Sequence, residues 1–140
     1  MKNLIAQLPE LDGAVLCAGR GLTVPLKMAS RSKMDTVFNT NFFAQTEMTR
    51  LLYKEKKLKK GGSLVFISSV GGNYRFEVGG GIYGASKAAL NSYMKFAAKE
   101  FSSRLIRVNS VCPDMVETPL IHRGTITEEQ LAKEDRKSVV

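Results

Sequence analysis

The sequence predicts an α/β domain built on a parallel sheet, because three short apolar runs alternate with two long segments of helical periodicity. The runs cover residues 13–19, 63–69 and 107–113, and glycine, proline or polar residues bound each of them. The middle run is apolar without alternation, as is typical of a parallel strand that is covered on both faces. The strand–helix–strand–helix–strand order implies right-handed crossovers and therefore a single parallel sheet.

Two helices are predicted between these strands. The first covers roughly residues 34–57, and its apolar side is formed by Val37, Ala44, Met48 and Leu51 or Leu52. The second covers roughly residues 83–103, and the spacing i, i+4, i+7, i+11 gives it a continuous apolar stripe of Leu90, Met94, Ala97 and Phe101. Parallel sheets bind ligands beyond the carboxyl ends of their strands. We therefore expect one functional rim containing the residues that end the three runs, Ala18-Gly19, Ser68-Ser69 and Cys112-Pro113.

Composition places the chain among globular proteins with a single domain over residues 1–140. Its apolar content of 44% is that of a globular protein. No apolar run in it approaches the ~20 residues that a membrane span needs. The first ten residues are too polar for a secretion signal. Cys17 and Cys112 fall inside apolar runs, so buried, unpaired thiols are a better interpretation than a disulfide. Together these features predict a cytoplasmic protein.

The net charge of +8 raises the question of a nucleic-acid partner. Much of the excess lies in residues 54–60, immediately before Gly61-Gly62. We interpret this segment as a solvated helix end, where cations complement the carbonyl end of the dipole and glycine ends the helix. A polyanion-binding patch is the alternative, but Tyr53 is the only aromatic residue nearby and no nucleic-acid motif accompanies the cluster. No nucleic-acid partner is expected.

A pair of residues in the second predicted helix suggests a reaction. Tyr83 and Lys87 are four residues apart and therefore project from one helix face. An ammonium near a phenol favours the phenolate and lowers the phenol pKa from ~10 towards neutrality. Such a phenol can donate a proton to a carbonyl or accept one from an alcohol. The preceding strand delivers the Ser69 hydroxyl to the same rim, so the trio predicts a carbonyl-reducing site. Taken separately, Tyr83 could simply be a residue that begins the helix, and Ser69 could simply be a hydroxyl that caps a turn.

Five motifs, in order, resemble the short-chain dehydrogenase/reductase family of the single-domain kind, with 3-oxoacyl-acyl-carrier-protein reductases among the similar members. Residues 15–19 are similar to the strand-four Asn-Ala-Gly motif, although Cys17 replaces the asparagine. Asn41 falls where the family has its helix asparagine, and the serine–tyrosine–lysine set matches Ser69, Tyr83 and Lys87. Residues 107–114, followed by Thr118-Pro119, resemble the segment that lines the nicotinamide, although Asp114 stands where glycine is usual.

The resemblance implies a partial Rossmann-like, doubly wound sheet that contains strands four to six of the family fold. It implies NAD or NADP as cofactor, a small-molecule carbonyl or alcohol as substrate and no metal ion. Tyr83 would be the general acid or base, Lys87 would tune it and bind the nicotinamide ribose, and Ser69 would bind the substrate oxygen. Asn41 would hold a water that connects Lys87 to solvent. The implied cofactor contacts are Ala18, Gly19, Tyr83, Lys87, Pro113, Val116 and Thr118.

The resemblance leaves two functions open. One is an NAD(P)-dependent oxidoreductase of which this chain holds the catalytic half, because the family's N-terminal Gly-rich turn is not found in it. The other is a catalytically inactive module that only associates. In the family, the helices that correspond to those of Asn41 and Tyr83 pack across subunit interfaces, which implies a homo-oligomer, a dimer or a tetramer. Uncovered strand edges also favour association.

Three further expectations concern single positions. Asn41 could instead be a buried polar group that is bonded only to backbone. The Asp114 carboxylate should repel the cofactor unless it turns away from the site. Residues 119–135 are a candidate substrate lid, with a short helix over 125–132 that starts at a capping signal and with His122 facing solvent.

Overall fold

A three-stranded parallel sheet forms the centre of the protein in this computed structural model, which describes residues 1–116. The strands are β1 (Leu11–Leu16), β2 (Leu58–Ile67) and β3 (Arg107–Val111), in the order β1-β2-β3. Val15 pairs with Val65, which pairs with Asn109, so the carboxyl ends of all three strands share one rim. The predicted α/β class and the parallel sheet are confirmed.

Within residues 1–116, four α-helices accompany the sheet: α1 (Lys2–Gln7), α2 (Arg31–Phe38), α3 (Ala44–Lys54) and α4 (Gly81–Phe101). The first predicted helix is therefore interrupted, because a π-helical turn over Asn39–Phe43 joins α2 to α3. Short 3-10 turns follow at Leu26–Met28, Val70–Gly72 and Ser102–Arg104. The second predicted helix is α4, which starts two residues earlier than expected.

The core lies between the helices and one face of the sheet. The strands contribute Leu64, Phe66 and Val108, and α4 contributes the buried side chains of Leu90, Ala97 and Phe101 with Met94 partly buried beside them. The predicted apolar stripe of α4 is thus confirmed. From the preceding helices come Ile5, Leu51 and Leu52. Burial of these side chains, at roughly 25 cal/mol per Å² of apolar surface, holds the helices on the sheet.

The other face of the sheet is not covered within residues 1–116. Val15 and Val111 point to that face and are 61% and 51% exposed, and Val65 and Ile67 between them are only partly buried. The expectation that β2 is covered on both faces is therefore wrong for the part of the chain that the structure describes. Its apolar run instead reflects one fully buried face and one half-buried face.

The basic segment differs from its predicted form as a helix end. Helix α3 ends at Lys54, and Lys56 adopts a left-handed conformation with φ of 53°. The chain then enters β2 at Leu58, which is fully buried and pairs with Leu11. Core burial of this leucine makes the helix stop before the glycines. Gly61-Gly62 instead lie in an irregular part of β2, where the register shifts.

Both cysteines are unpaired, as predicted, but Cys17 is exposed and Cys112 is partly buried. The prediction of buried thiols is therefore wrong for Cys17, which points away from the core at the end of β1. Thr118, the candidate lid and helix in the C-terminal tail, and His122 lie outside the described residues. None of the helices described in residues 1–116 has the length and apolar character to cross a membrane.

Candidate active site

Helix α4 brings Tyr83 and Lys87 together at the rim. Lys87 is only 3% exposed, and its Nζ donates a 2.7 Å hydrogen bond to the carbonyl oxygen of Ile67, the last residue of β2. The same Nζ lies 5.9 Å from the centroid of the Tyr83 ring. Burial lowers the pKa of Lys87 from its ordinary value, and the thiols of Cys17 and Cys112 act in the opposite direction. The amine is therefore held beside the phenol by helix spacing and by the end of β2.

The two serines after β2 have different roles. Ser68 is buried, and its hydroxyl donates to the carbonyl oxygen of Lys87 at 3.2 Å, which ties the strand end to α4. Ser69 is partly exposed, and its Oγ accepts the N–H of Gly71 at 3.1 Å. A hydroxyl has one donor besides its acceptor lone pairs, so within residues 1–116 this turn-capping bond leaves the Ser69 O–H free to donate. The choice of Ser69 over Ser68 agrees with this arrangement.

Gly72 and Gly84 allow the turn that follows Ser69, Val70–Gly72, to pack directly on α4. A Cβ at Gly84 would lie 2.6 Å from the carbonyl oxygen of Gly71, and one at Gly72 would lie 3.0 Å from main-chain atoms of Lys87. A Cβ at Gly71 would lie 3.5 Å from Ser69 Oγ and 3.9 Å from Tyr83 Cε1. The ideal Cβ position of Gly71 is thus near both the serine hydroxyl and the phenol ring, which places Ser69 and Tyr83 in the same part of the rim as Lys87.

Asn41 is placed by the π-helical turn and is fully buried. Its Nδ2 donates to the carbonyl oxygen of Arg20 and to Ser86 Oγ, each at 3.0 Å, and its Oδ1 accepts the N–H of Arg20 at 2.7 Å. Both amide protons are thus used inside the protein, and the side chain acts as a buried group bonded mainly to backbone. A water relay from Asn41 to Lys87 stays a prediction. A single π turn inside a helix often marks a functional site.

Sequence reasoning missed the polar stripe that follows Asn41. Gln45 and Thr49 are 2% and 0% exposed, at spacings of i+4 and i+8 from Asn41. Gln45 Nε2 donates to the carbonyl oxygens of Ala18 at 2.7 Å and Asn41 at 3.1 Å. The helical spacing of three uncharged polar residues was the available signal, but apolar periodicity alone assigned the buried side to Val37, Ala44 and Met48.

The turn after β1 carries Ala18, which is exposed, and Gly19, which is partly buried. A Cβ at Gly19 would lie 3.6 Å from Lys87 Nζ, so this glycine faces the ammonium. The predicted cofactor positions Ala18, Gly19, Tyr83 and Lys87 are therefore brought together at the rim.

The segment after β3 is fastened to the Ser69 turn. The carbonyl oxygen of Pro113 accepts the N–H of Val70 at 3.0 Å, and the Asp114 carboxylate accepts from Arg75 at 2.7 Å and from the N–H of Met115 at 2.9 Å. The carboxylate that stands in a usual glycine position is thus paired with a guanidinium. Val116 is 52% exposed at the end of the described chain.

Known proteins share this arrangement of elements. A family model described as short chain dehydrogenase matches residues 1–129. A tropinone reductase homolog of Arabidopsis thaliana is 36% identical over 130 residues, which are 92% of this chain and 47% of the relative. The 3-oxoacyl-acyl-carrier-protein reductase of Thermotoga maritima is 31% identical over 123 residues, 88% of this chain and 50% of the relative. The chain thus spans about half the length of these relatives.

Among solved structures, a 4-hydroxyisoleucine dehydrogenase mutant complexed with NADH and succinate matches with a TM-score of 0.80 and 30% identity, over 94% of this chain and 56% of that one. The chain belongs to the short-chain dehydrogenase family.

Proposed function

We propose that this chain carries the catalytic half of an NAD- or NADP-dependent oxidoreductase that interconverts a carbonyl and an alcohol. The observation that supports this most directly is the approach of three groups: the Lys87 ammonium at 5.9 Å from the Tyr83 ring, and Ser69 Oγ beside the same ring across Gly71. The NADH in the related 4-hydroxyisoleucine dehydrogenase structure supports the cofactor class.

The residues at the rim fit the nicotinamide end of such a cofactor. An ammonium has three N–H donors, and within residues 1–116 Lys87 Nζ uses one of them, on Ile67. The remaining donors suit the hydroxyls of a ribose. Gly19, which faces Lys87 without a side chain, allows a ligand to approach the backbone closely. Ala18, Pro113, Val116 and Thr118 complete the proposed contacts. The bound dinucleotide supplies the hydride.

The protein groups supply the proton and stabilise charge on the substrate oxygen. In reduction, the Tyr83 hydroxyl donates its proton to the carbonyl oxygen, and in oxidation the phenolate takes it back. The positive charge of Lys87 stabilises that phenolate. The free O–H of Ser69 donates to the same substrate oxygen as negative charge develops there. Asn41, through its bonds to Arg20 and Ser86, keeps the turn after β1 and helix α4 in place.

A matched pair of tyrosine variants tests the proposal. The chain is joined to the Gly-rich strand–turn–helix half of its Arabidopsis relative, and NADH and NADPH oxidation is measured with a panel of ketones. Tyr83→Phe removes the proposed acid and should lower kcat by about 10²- to 10⁴-fold. Tyr93→Phe is the control, because Tyr93 lies on the same helix and packs its ring on Phe66. Equal activity of the Tyr83→Phe protein and its parent would remove Tyr83 from the mechanism.

A second candidate function, self-association, is favoured by the outer faces of the π turn, α3 and α4. Phe43 and Phe96 are 53% and 67% exposed there. Phe43 and Tyr93 also line an open groove of about 440 Å³, together with Thr46, Glu47 and Arg50. We propose a second copy of the chain as the occupant, giving a homodimer or a tetramer. Sedimentation velocity of the chain and its Phe96→Glu variant tests this: a parent that sediments as a monomer and binds NADPH at micromolar concentration would contradict an association-only function.

A further inference from the structure

We infer that Gln45 is a positioning residue, which holds the turn after β1 at a fixed distance from Lys87. This inference deepens the proposed function, since that turn is where the dinucleotide would approach the backbone. Gln45 lies in the first turn of α3 and is 2% exposed. Its residue type is not part of any motif that the sequence analysis identified.

The amide of Gln45 acts through its nitrogen. Nε2 donates one N–H to the carbonyl oxygen of Ala18 at 2.7 Å and the other to that of Asn41 at 3.1 Å. Among residues 1–116, Oε1 has no hydrogen-bond partner. The contribution of this side chain is therefore the donation of two hydrogen bonds, one of which reaches the turn across a sequence separation of 27 residues.

Gln45 and Asn41 together form what we name the amide clamp. Gln45 holds Ala18 on one side of Gly19, and Asn41 holds both the N–H and the carbonyl oxygen of Arg20 on the other side. The glycine between them is the residue whose missing Cβ would lie 3.6 Å from Lys87 Nζ. With both flanks bonded to the π turn and α3, the turn cannot shift towards or away from the ammonium without breaking a partly buried hydrogen bond.

The chemistry of the two carbonyls explains why this position needs an amide. Two neighbouring acceptors require a side chain with two N–H donors and enough length, which glutamine supplies. A glutamate would direct a carboxylate at two carbonyl oxygens. A methionine has nearly the same length and shape without any donor, so Gln45→Met removes the hydrogen bonds and keeps the packing.

The test compares Gln45→Met with Thr49→Val. Thr49 is buried one turn further along α3, and its hydroxyl donates only to the carbonyl oxygen of Gln45 in the same helix, at 2.8 Å. Both variants lose a buried polar group, but only the first loses a bond to the turn. Amide hydrogen exchange is measured on the 140-residue chain. The dissociation constant for NADPH is measured by fluorescence on the chain joined to the Gly-rich strand–turn–helix half.

In Gln45→Met we expect the Arg20 amide to exchange about tenfold faster or more, because an acceptor left without its donor loosens the turn. The dissociation constant for NADPH should rise by about tenfold, with a smaller change in kcat wherever turnover is measurable. Thr49→Val should change neither the Arg20 exchange rate nor the dissociation constant for NADPH, even if it lowers the melting temperature as much as Gln45→Met does. That split separates positioning from a general loss of stability.

Two results would overturn the inference. One is an Arg20 amide that exchanges at the parent rate in Gln45→Met, and the other is an equal acceleration in both variants. If the chain joined to the Gly-rich half binds no dinucleotide, the proposed function loses its support, whereas the exchange comparison on the 140-residue chain still decides whether Gln45 holds the turn.

Discussion

Replacing Gly84 by alanine has two opposing effects on stability, a gain in helix propensity and a loss in tertiary packing, and the distances in the structure determine which is larger. Alanine is favoured over glycine inside a helix by about 1 kcal/mol, so α4 alone would gain stability. The new Cβ, however, would lie 2.6 Å from the carbonyl oxygen of Gly71, whereas ordinary Cβ contacts begin near 3.4 Å. The two backbones must therefore separate by about 0.8 Å.

The Ser69 turn is the part that gives way, because α4 is held by its core stripe. Overpacking typically costs about 1–3 kcal/mol, and the gain in helix propensity offsets about 1 kcal/mol of that. We expect the free energy of unfolding to fall by about 0–2 kcal/mol. The Ser69 hydroxyl moves away from Tyr83, and a misplacement of this size lowers kcat by up to about 10²-fold.

Urea unfolding, amide exchange of Gly71 and Gly72, and ketone reduction by the chimeric enzyme measure the three effects of Gly84→Ala. Gly81→Ala is the matched control, since the same change in the same helix meets only the Cδ2 of Leu26, at 2.9 Å. The Leu26 side chain is 73% exposed and can rotate away. The reasoning is refuted if Gly84→Ala leaves exchange and activity at parent values, or if Gly81→Ala disturbs the turn as strongly.

Three further predictions concern charge and packing. Burial lowers the pKa of Lys87 below the 10.5 of a free lysine, so between the folded-state pKa and 10.5 the unfolded chain binds more protons and the free energy of unfolding rises with pH. Urea unfolding of Lys87→Met from neutral to alkaline pH should lack that rise. Parallel pH dependences of the variant and the parent would contradict this reasoning. The ion pair of Arg75 and Asp114 is partly exposed. A double-mutant cycle with Arg75→Gln and Asp114→Asn should therefore give a coupling energy of about 0–1 kcal/mol that added salt weakens. A coupling energy that salt leaves unchanged would argue against an ion pair. Leu90→Ala should cost about 2–5 kcal/mol in urea unfolding because Leu90 is fully buried in the core, and a loss below 1 kcal/mol would show that the core collapses around it.

The parts of the fold that depend on local pattern were predictable. The stripe of Leu90, Ala97 and Phe101 repeats at helical spacing, and this stripe is buried. The strand centred on Val65 was recognisable from its apolar run. The end of α3 was not predictable from the glycines, because the burial of Leu58 against the core determines where the strand begins.

In the candidate site, too, the features that depend on local spacing were predictable and those that depend on distant contacts were not. The spacing of Tyr83 and Lys87 on one helix predicted their proximity, since four residues make about one turn. The pairing of Asp114 with Arg75 lies between two loops 39 residues apart in sequence, and no local pattern indicates it. The burial of Gln45 had a local signal in its helical spacing from Asn41, but its hydrogen bond to Ala18 had none, because Ala18 belongs to a different element.

The sequence by itself determined the α/β class, the parallel sheet and the helix face that carries Tyr83 and Lys87. These features follow from periodicities of two to four residues, which the chain carries wherever it folds. The family resemblance had already favoured Ser69 as the catalytic serine. Only the tertiary structure showed that Ser68 bonds to the carbonyl oxygen of Lys87, that Asn41 bonds mainly to backbone and that Gln45 bonds to the turn after β1. Each of those outcomes depends on contacts between elements distant in sequence, and the packing of the helices on the sheet brings them together.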